Sequence, residues 1–131
     1  MTDVLLQIHP WFGYAVSLAV LVVAVMTFSR ARDSREFLPG PIVGALVALD
    51  IQVLLGIVLY GMGGAWDARP EIAYLHPLIA IIALGVGHAS LKRAKGHQMA
   101  VEANRTAARG LVIALLLVFV AIGIASAPPF L

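Results

Sequence analysis

Two tripeptides carry the residues best suited to chemistry: Ile8-His9-Pro10 and Leu75-His76-Pro77, each a turn or two inside the start of a long apolar segment. A neutral imidazole is the commonest nitrogen ligand for a metal. Two of them at one depth, on diagonal helices of a four-helix bundle, can take both axial positions of a haem iron. His9 and His76 are therefore the expected ligands of one b-type haem per chain, and no side chain is assigned a catalytic role. Each histidine alone reads better as a structural residue near a membrane interface than as a ligand. The matched pair with matched prolines favours ligation.

A flat macrocycle needs clearance, and small residues fall at that layer on every helix: Gly13 below His9, Ala80 below His76, Gly56, and Ala121 with Gly123. Small residues also let membrane helices pack closely without any ligand. If Gly56 faces the cofactor, Gln52 shares its face one turn deeper, since residues four apart overlie one another. Arg69 stands just beyond the His76 layer and suits a propionate; it reads equally as a loop arginine between Asp67 and Glu71. His88 lies about 120° round the helix from His76, and a second haem there would need His97 from the following loop. An interfacial histidine bonding a carbonyl or water is the simpler account of His88.

Asp50 is costly in the middle of an apolar segment, at least ~2.5 kcal/mol on insertion scales. About 200° from Gln52, it looks away from the presumed cofactor, towards another subunit or a lateral quinone or proton site. A structural bond inside the bundle is the competing account. Two histidines with distant carboxylates make a poor zinc site. No nucleophile triad, phosphate loop or dinucleotide fingerprint is present.

The elements that must position these residues follow from composition. The chain has 131 residues, 61% hydrophobic and 12% charged, with mean hydropathy +0.96. That is too apolar for an ordinary soluble domain and predicts one all-α, integral membrane domain spanning residues 1–131, an up-down bundle of four helices. Helices are expected over residues 3–28, 41–62, 70–92 and 110–127. Thr2 is expected to cap the first and Pro10 to bend it; a short surface helix over residues 99–105 precedes the fourth, and Pro128-Pro129 closes it. The first four residues lack the basic start of a cleaved signal, so the first segment is expected to stay as a span. With no cysteine, there is no thiolate ligand, disulfide, iron–sulfur cluster or covalent haem attachment.

Of nine Lys and Arg residues, Arg30, Arg32 and Arg35 lie in the first loop and Lys92, Arg93, Lys95, Arg105 and Arg109 in or beside the third, with Arg69 opposite. These read as topology signals, not a nucleic-acid footprint. They place both termini outside the cytoplasmic membrane of a prokaryote, and His9 and His76 in its outer leaflet. Trp11, Trp66, Tyr14, Tyr60 and Tyr74 fall towards the same face, as an interfacial belt does.

The runs Ile8-His9-Pro10-Trp11-Phe12-Gly13-Tyr14, Gln52-Val53-Leu54-Leu55-Gly56-Ile57-Val58 and Leu75-His76-Pro77-Leu78 resemble one four-helix half of the haem A synthase family. That half carries a His before Gly-Tyr, a Gln-Val-Leu-x-Gly run and a second His. The resemblance implies axial ligation by His9 and His76 on the extracytoplasmic side. It covers about three helices. The family's active half usually has a Glu shortly before its first histidine and often an Arg directly after; here Leu5, Leu6, Gln7 and Pro10 stand in those places. A lone half without the acid looks like the cofactor-holding part. Cytochrome b561-like proteins share the bundle plan but normally hold two haems.

The expected function is therefore electron transfer or haem handling beside a respiratory or haem-modifying complex, with the lipid bilayer as constant partner. A cofactor-free accessory subunit, docking through the apolar fourth helix and Asp50, is the alternative of a different class. A short-form haem A synthase, completed as a homo-oligomer, is the third.

Overall fold

The computed structural model describes residues 1–126, which form four helices: α1 (Thr2–Arg32), α2 (Pro39–Gly63), α3 (His76–Lys95) and α4 (Ala100–Ser126). All four, with α3 counted from Glu71, are long and apolar enough to cross a membrane. Consecutive helices pack side by side and α4 closes the ring against α1, so α1 faces α3 across the axis of an up-down bundle.

Helix ends follow local chemistry, with some departures from expectation. Met1, not Thr2, occupies the N-cap of α1, and no side chain caps it. α1 runs a turn beyond the expected stop at Ser29. Arg30 and Arg32 suit the negative end of the helix dipole, and Ala31 is buried. Pro39 opens α2 after an extended Leu38, and Pro41 follows within the first turn, where no intrahelical N–H is needed. Gly64 ends α2 in the left-handed region at φ 65°, which suits a residue without Cβ. A 3-10 turn over Ala65–Asp67 follows.

The entry to α3 is not the plain helix from residue 70 that the sequence predicts. Glu71–Leu75 form a π-helical turn in which the His76 N–H reaches the Glu71 carbonyl. Pro77 supplies the reason: it has no N–H for the Ala73 carbonyl, and a wider turn absorbs the misfit. The extra residue also re-aims His76.

α4 begins ten residues before the expected start, absorbing the predicted surface helix. Its first turns are rich in alanine, and Ala103, Asn104, Ala107 and Ala108 bury one face. Asn104 is 0% exposed and donates through Nδ2 to the Arg35 carbonyl at 2.9 Å, tying the first connection to α4. Gly110 lies inside this helix, and its lack of a side chain lets α3 approach, since Ser90 occupies the space its Cβ would need. The expected end of the helix at residue 127 and Pro128-Pro129 lie outside the described residues.

The core occupies the half of the bundle away from the two histidines. Val16, Val20 and Ala24 of α1 meet Ile42, Ala45, Leu46 and Leu49 of α2, Leu91 and Ala94 of α3, and Ala107, Leu111 and Leu115 of α4. Gly87 lets α3 approach: a Cβ there would stand 2.6 Å from Leu46 Cδ2. The outside is also apolar, with Leu18, Val25, Leu54, Ile81, Leu116 and Phe119 exposed. Towards the other end the packing stops and the bundle opens.

Candidate functional site

The opening is a cavity of about 970 Å³ walled by all four helices and the connection between α2 and α3. Val16, Leu49 and Val118 bring it down to the core, and Tyr60, Tyr74 and Ile122 contribute to its walls. Its polar side chains include His9, Gln52 and His76. The volume lies near the upper end of the roughly 300–1,000 Å³ typical of small-molecule sites, which are mostly apolar with few placed polar groups.

His9 and His76 meet across the bundle axis with ring centroids 6.2 Å apart and planes at 81°. Metal–imidazole bonds of about 2.0 Å, plus roughly 1.1 Å from nitrogen to ring centre on each side, put two opposed ligands of one iron about 6.2 Å apart centre to centre. The observed spacing matches that span. Among the described residues no three or more His, Cys, Asp or Glu side chains converge as a metal-ion site. A haem iron brings four nitrogens of its own and needs only two ligands from the chain.

Each ring is held by a second group. His76 Nδ1 lies 2.8 Å from the Ala121 carbonyl, which can only accept, so Nδ1 carries the proton and Nε2 keeps its lone pair. His76 is thus already in the tautomer that ligates through Nε2. For His9, Gln52 Nε2 donates to the His9 carbonyl at 2.9 Å and lies 3.2 Å from His9 Nδ1, while Gln52 Oε1 is buried with no partner. An amide N–H directed at Nδ1 leaves the proton on Nε2. Freeing Nε2 for a metal needs Oε1 to accept from an Nδ1–H, and because a simple flip would set Oε1 against the His9 carbonyl, the Gln52 side chain must draw away from that carbonyl as it turns. Gln52 is therefore the group that sets which His9 nitrogen is available. Replacement by leucine removes that control, and haem affinity is expected to fall about 10–100-fold in a titration of the Gln52→Leu protein, the usual cost of losing an outer-shell partner.

The small residues divide differently from the sequence expectation. A Cβ on Gly13 would stand 2.8 Å from Gln52 Nε2, and one on Gly56 would stand 3.1 Å from His9 Cε1. Both line the cavity, but their lack of side chain first makes room for the Gln52 amide and the His9 ring. Gln52, expected one turn deeper, reaches the histidine itself because its side chain spans that rise. Ala80 and Ala121 line the cavity; Gly123 is not among its lining residues. Arg69 lies in the connection whose Ala68 and Ile72 help line the cavity, and its carbonyl receives the N–H groups of Ile72 and Ala73.

The remaining polar residues lie elsewhere. His88 Nε2 is 2.8 Å from Asp50 Oδ1, with side chains 49% and 41% exposed on the flank between α2 and α3. Neither lines the cavity. His97 Nε2 is 3.0 Å from Thr106 Oγ1. The two histidines considered for a second haem are thus engaged with different partners. The Asp50–His88 pairing and the Ala121 carbonyl are what sequence reasoning missed. No local signal marks either, since each joins residues on different helices, 38 and 45 positions apart.

Compared with protein-family models, with curated proteins and with solved structures, the chain matches none. The likeness to a haem A synthase half accordingly stands on the short runs that carry it.

Proposed function

We propose that the chain is a multi-pass protein of a prokaryotic cytoplasmic membrane, with both termini outside, that binds one b-type haem between His9 and His76 for electron transfer or haem handling. The observation that carries this reading is the 6.2 Å spacing of the two rings within a cavity large enough for a porphyrin. Four apolar helices with apolar exteriors support the membrane placement, and the basic residues at the opposite end of the bundle support the orientation.

When bound, haem supplies one-electron chemistry at an iron whose potential its ligands and surroundings tune. The chain's own residues do the rest. His9 and His76 hold the iron, Gln52 and the Ala121 carbonyl fix the imidazoles, and the apolar walls exclude water. Arg69 stands on the side where propionates would reach the surface. The larger respiratory or haem-modifying assembly remains the expected setting.

A visible spectrum of the membrane-extracted protein tests the reading. The expected result is a Soret band that shifts on reduction, with close to one haem per chain. Release of an unmodified b-type haem on extraction supports a cytochrome; a modified haem points instead to the short-form synthase. Absence of any Soret band after haem supplementation rejects the proposal and leaves the cofactor-free accessory subunit.

A further inference from the structure

The haem reading makes no use of Asp50 and His88. They form a carboxylate–imidazole pair at 2.8 Å, half exposed on the α2–α3 flank. Asp50 is six residues from Gly56 along α2, about 9 Å of helix rise, and off the cavity. After their mutual bond, Asp50 Oδ2 and His88 Nδ1 have no protein partner among the described residues.

Around the pair the flank is apolar and open. Val47 and Ile51 on α2 and Ile82 on α3 are exposed. Gly85 lies one turn from His88, and a Cβ there would meet nothing within 4 Å. In a bilayer this is a place where an acceptor and a titratable ring meet hydrocarbon, and such intramembrane polar groups mark functional sites. The ligand that fits must arrive through lipid and be largely apolar. It must also present an oxygen that can donate to a carboxylate or accept from an imidazole. A phospholipid phosphate is disfavoured by the Asp50 carboxylate, and a water-soluble ligand lacks the route.

We infer that the Asp50–His88 pair is a lateral binding site for the head group of a lipophilic quinol or quinone, one ring oxygen engaging the pair and the tail lying along the apolar flank. The inference rests on the membrane placement of the four helices, not on the haem.

The test uses the full chain in lipid nanodiscs with a photoactivatable azidoquinone, the labelled peptides being located by mass spectrometry. Label is expected within residues 43–54 and 81–92, competed by excess unlabelled short-tailed quinone. Loss of one charge-assisted hydrogen bond is expected to reduce it about tenfold in Asp50→Asn and in His88→Gln. Gly85→Leu adds bulk to the open face one turn from His88 and should reduce labelling as well. Circular dichroism of each variant checks that the helices are intact.

Label on the His9 and His76 segments, label that excess quinone does not displace, or labelling equal in all variants overturns the inference. The chain has no cysteine, so a single Gly85→Cys variant gives a clean further check. Quantitative disulfide dimers in native membranes mean that a second copy covers the flank, which also overturns it. The haem band is read on the same samples. Lost labelling with an intact Soret band, or the reverse, separates failure of this site from failure of the haem reading.

Discussion

The His76→Ala protein is expected to lose its six-coordinate haem spectrum, either by losing the haem or by converting it to a five-coordinate form with a displaced Soret band. The effect should exceed the roughly 10–100-fold affinity loss that outer-shell changes produce, because an iron bond itself is removed. His76 is the sharper choice of the two ligands. Its Nδ1 proton is fixed by the Ala121 carbonyl at 2.8 Å, so Nε2 offers a lone pair without rearrangement. His9→Ala should act the same way and also strips Gln52 of its ring contact. A glutamine at position 76 can keep a bond to the Ala121 carbonyl without offering an imidazole, so His76→Gln separates fold from ligation. Spectra unchanged from the parent in both alanine variants would remove the pair from any role at the iron.

Gly110→Leu is expected to be the most damaging single change to the bundle itself. Even a Cβ at this position meets the Ser90 side chain, so α3 and α4 would have to part where they now pack closely. Overpacking of this kind costs typically 1–3 kcal/mol, and a leucine belongs at or beyond the upper end. At about 1.4 kcal/mol per decade, that is roughly a hundredfold shift in the folding equilibrium. Reversible unfolding in mixed micelles, followed by circular dichroism, reads it directly. The paired variant Ser90→Gly with Gly110→Ala should recover much of the loss, because it clears the same contact from the other side. Retained parental stability in Gly110→Leu would mean that the helices are not locked at this level.

Much of this architecture was legible in order along the chain. Long apolar runs interrupted by Arg30–Arg35, by Gly61, Gly63 and Gly64, and by the Lys92–Lys95 cluster mark four helices, because each run is long enough to satisfy its own backbone in hydrocarbon. Short connections then force neighbours to be antiparallel, so the first and third helices become diagonal partners. His9 and His76 follow from that reasoning alone: two histidines near the starts of parallel helices come to one level whatever the side-chain detail.

Details set by backbone adjustment or close contact were less visible. The early start of α4 rests on Ala103, Asn104, Ala107 and Ala108 burying one face of a polar, basic stretch against the other helices, a packing that the stretch's own composition does not announce. Likewise the π turn before His76 is a response to Pro77 within packed surroundings.

The sequence by itself determined the number of helices, their order round the bundle and the common level of His9 and His76, since length, hydropathy and connection length act locally and leave little choice. Only the tertiary structure decided that Gln52 serves His9, that the Ala121 carbonyl serves His76 and that Asp50 bonds His88. Each of those depends on the rotation of one helix against another, and rotation is fixed by side-chain packing across the interface, where a turn of a few tens of degrees exchanges one partner for the next.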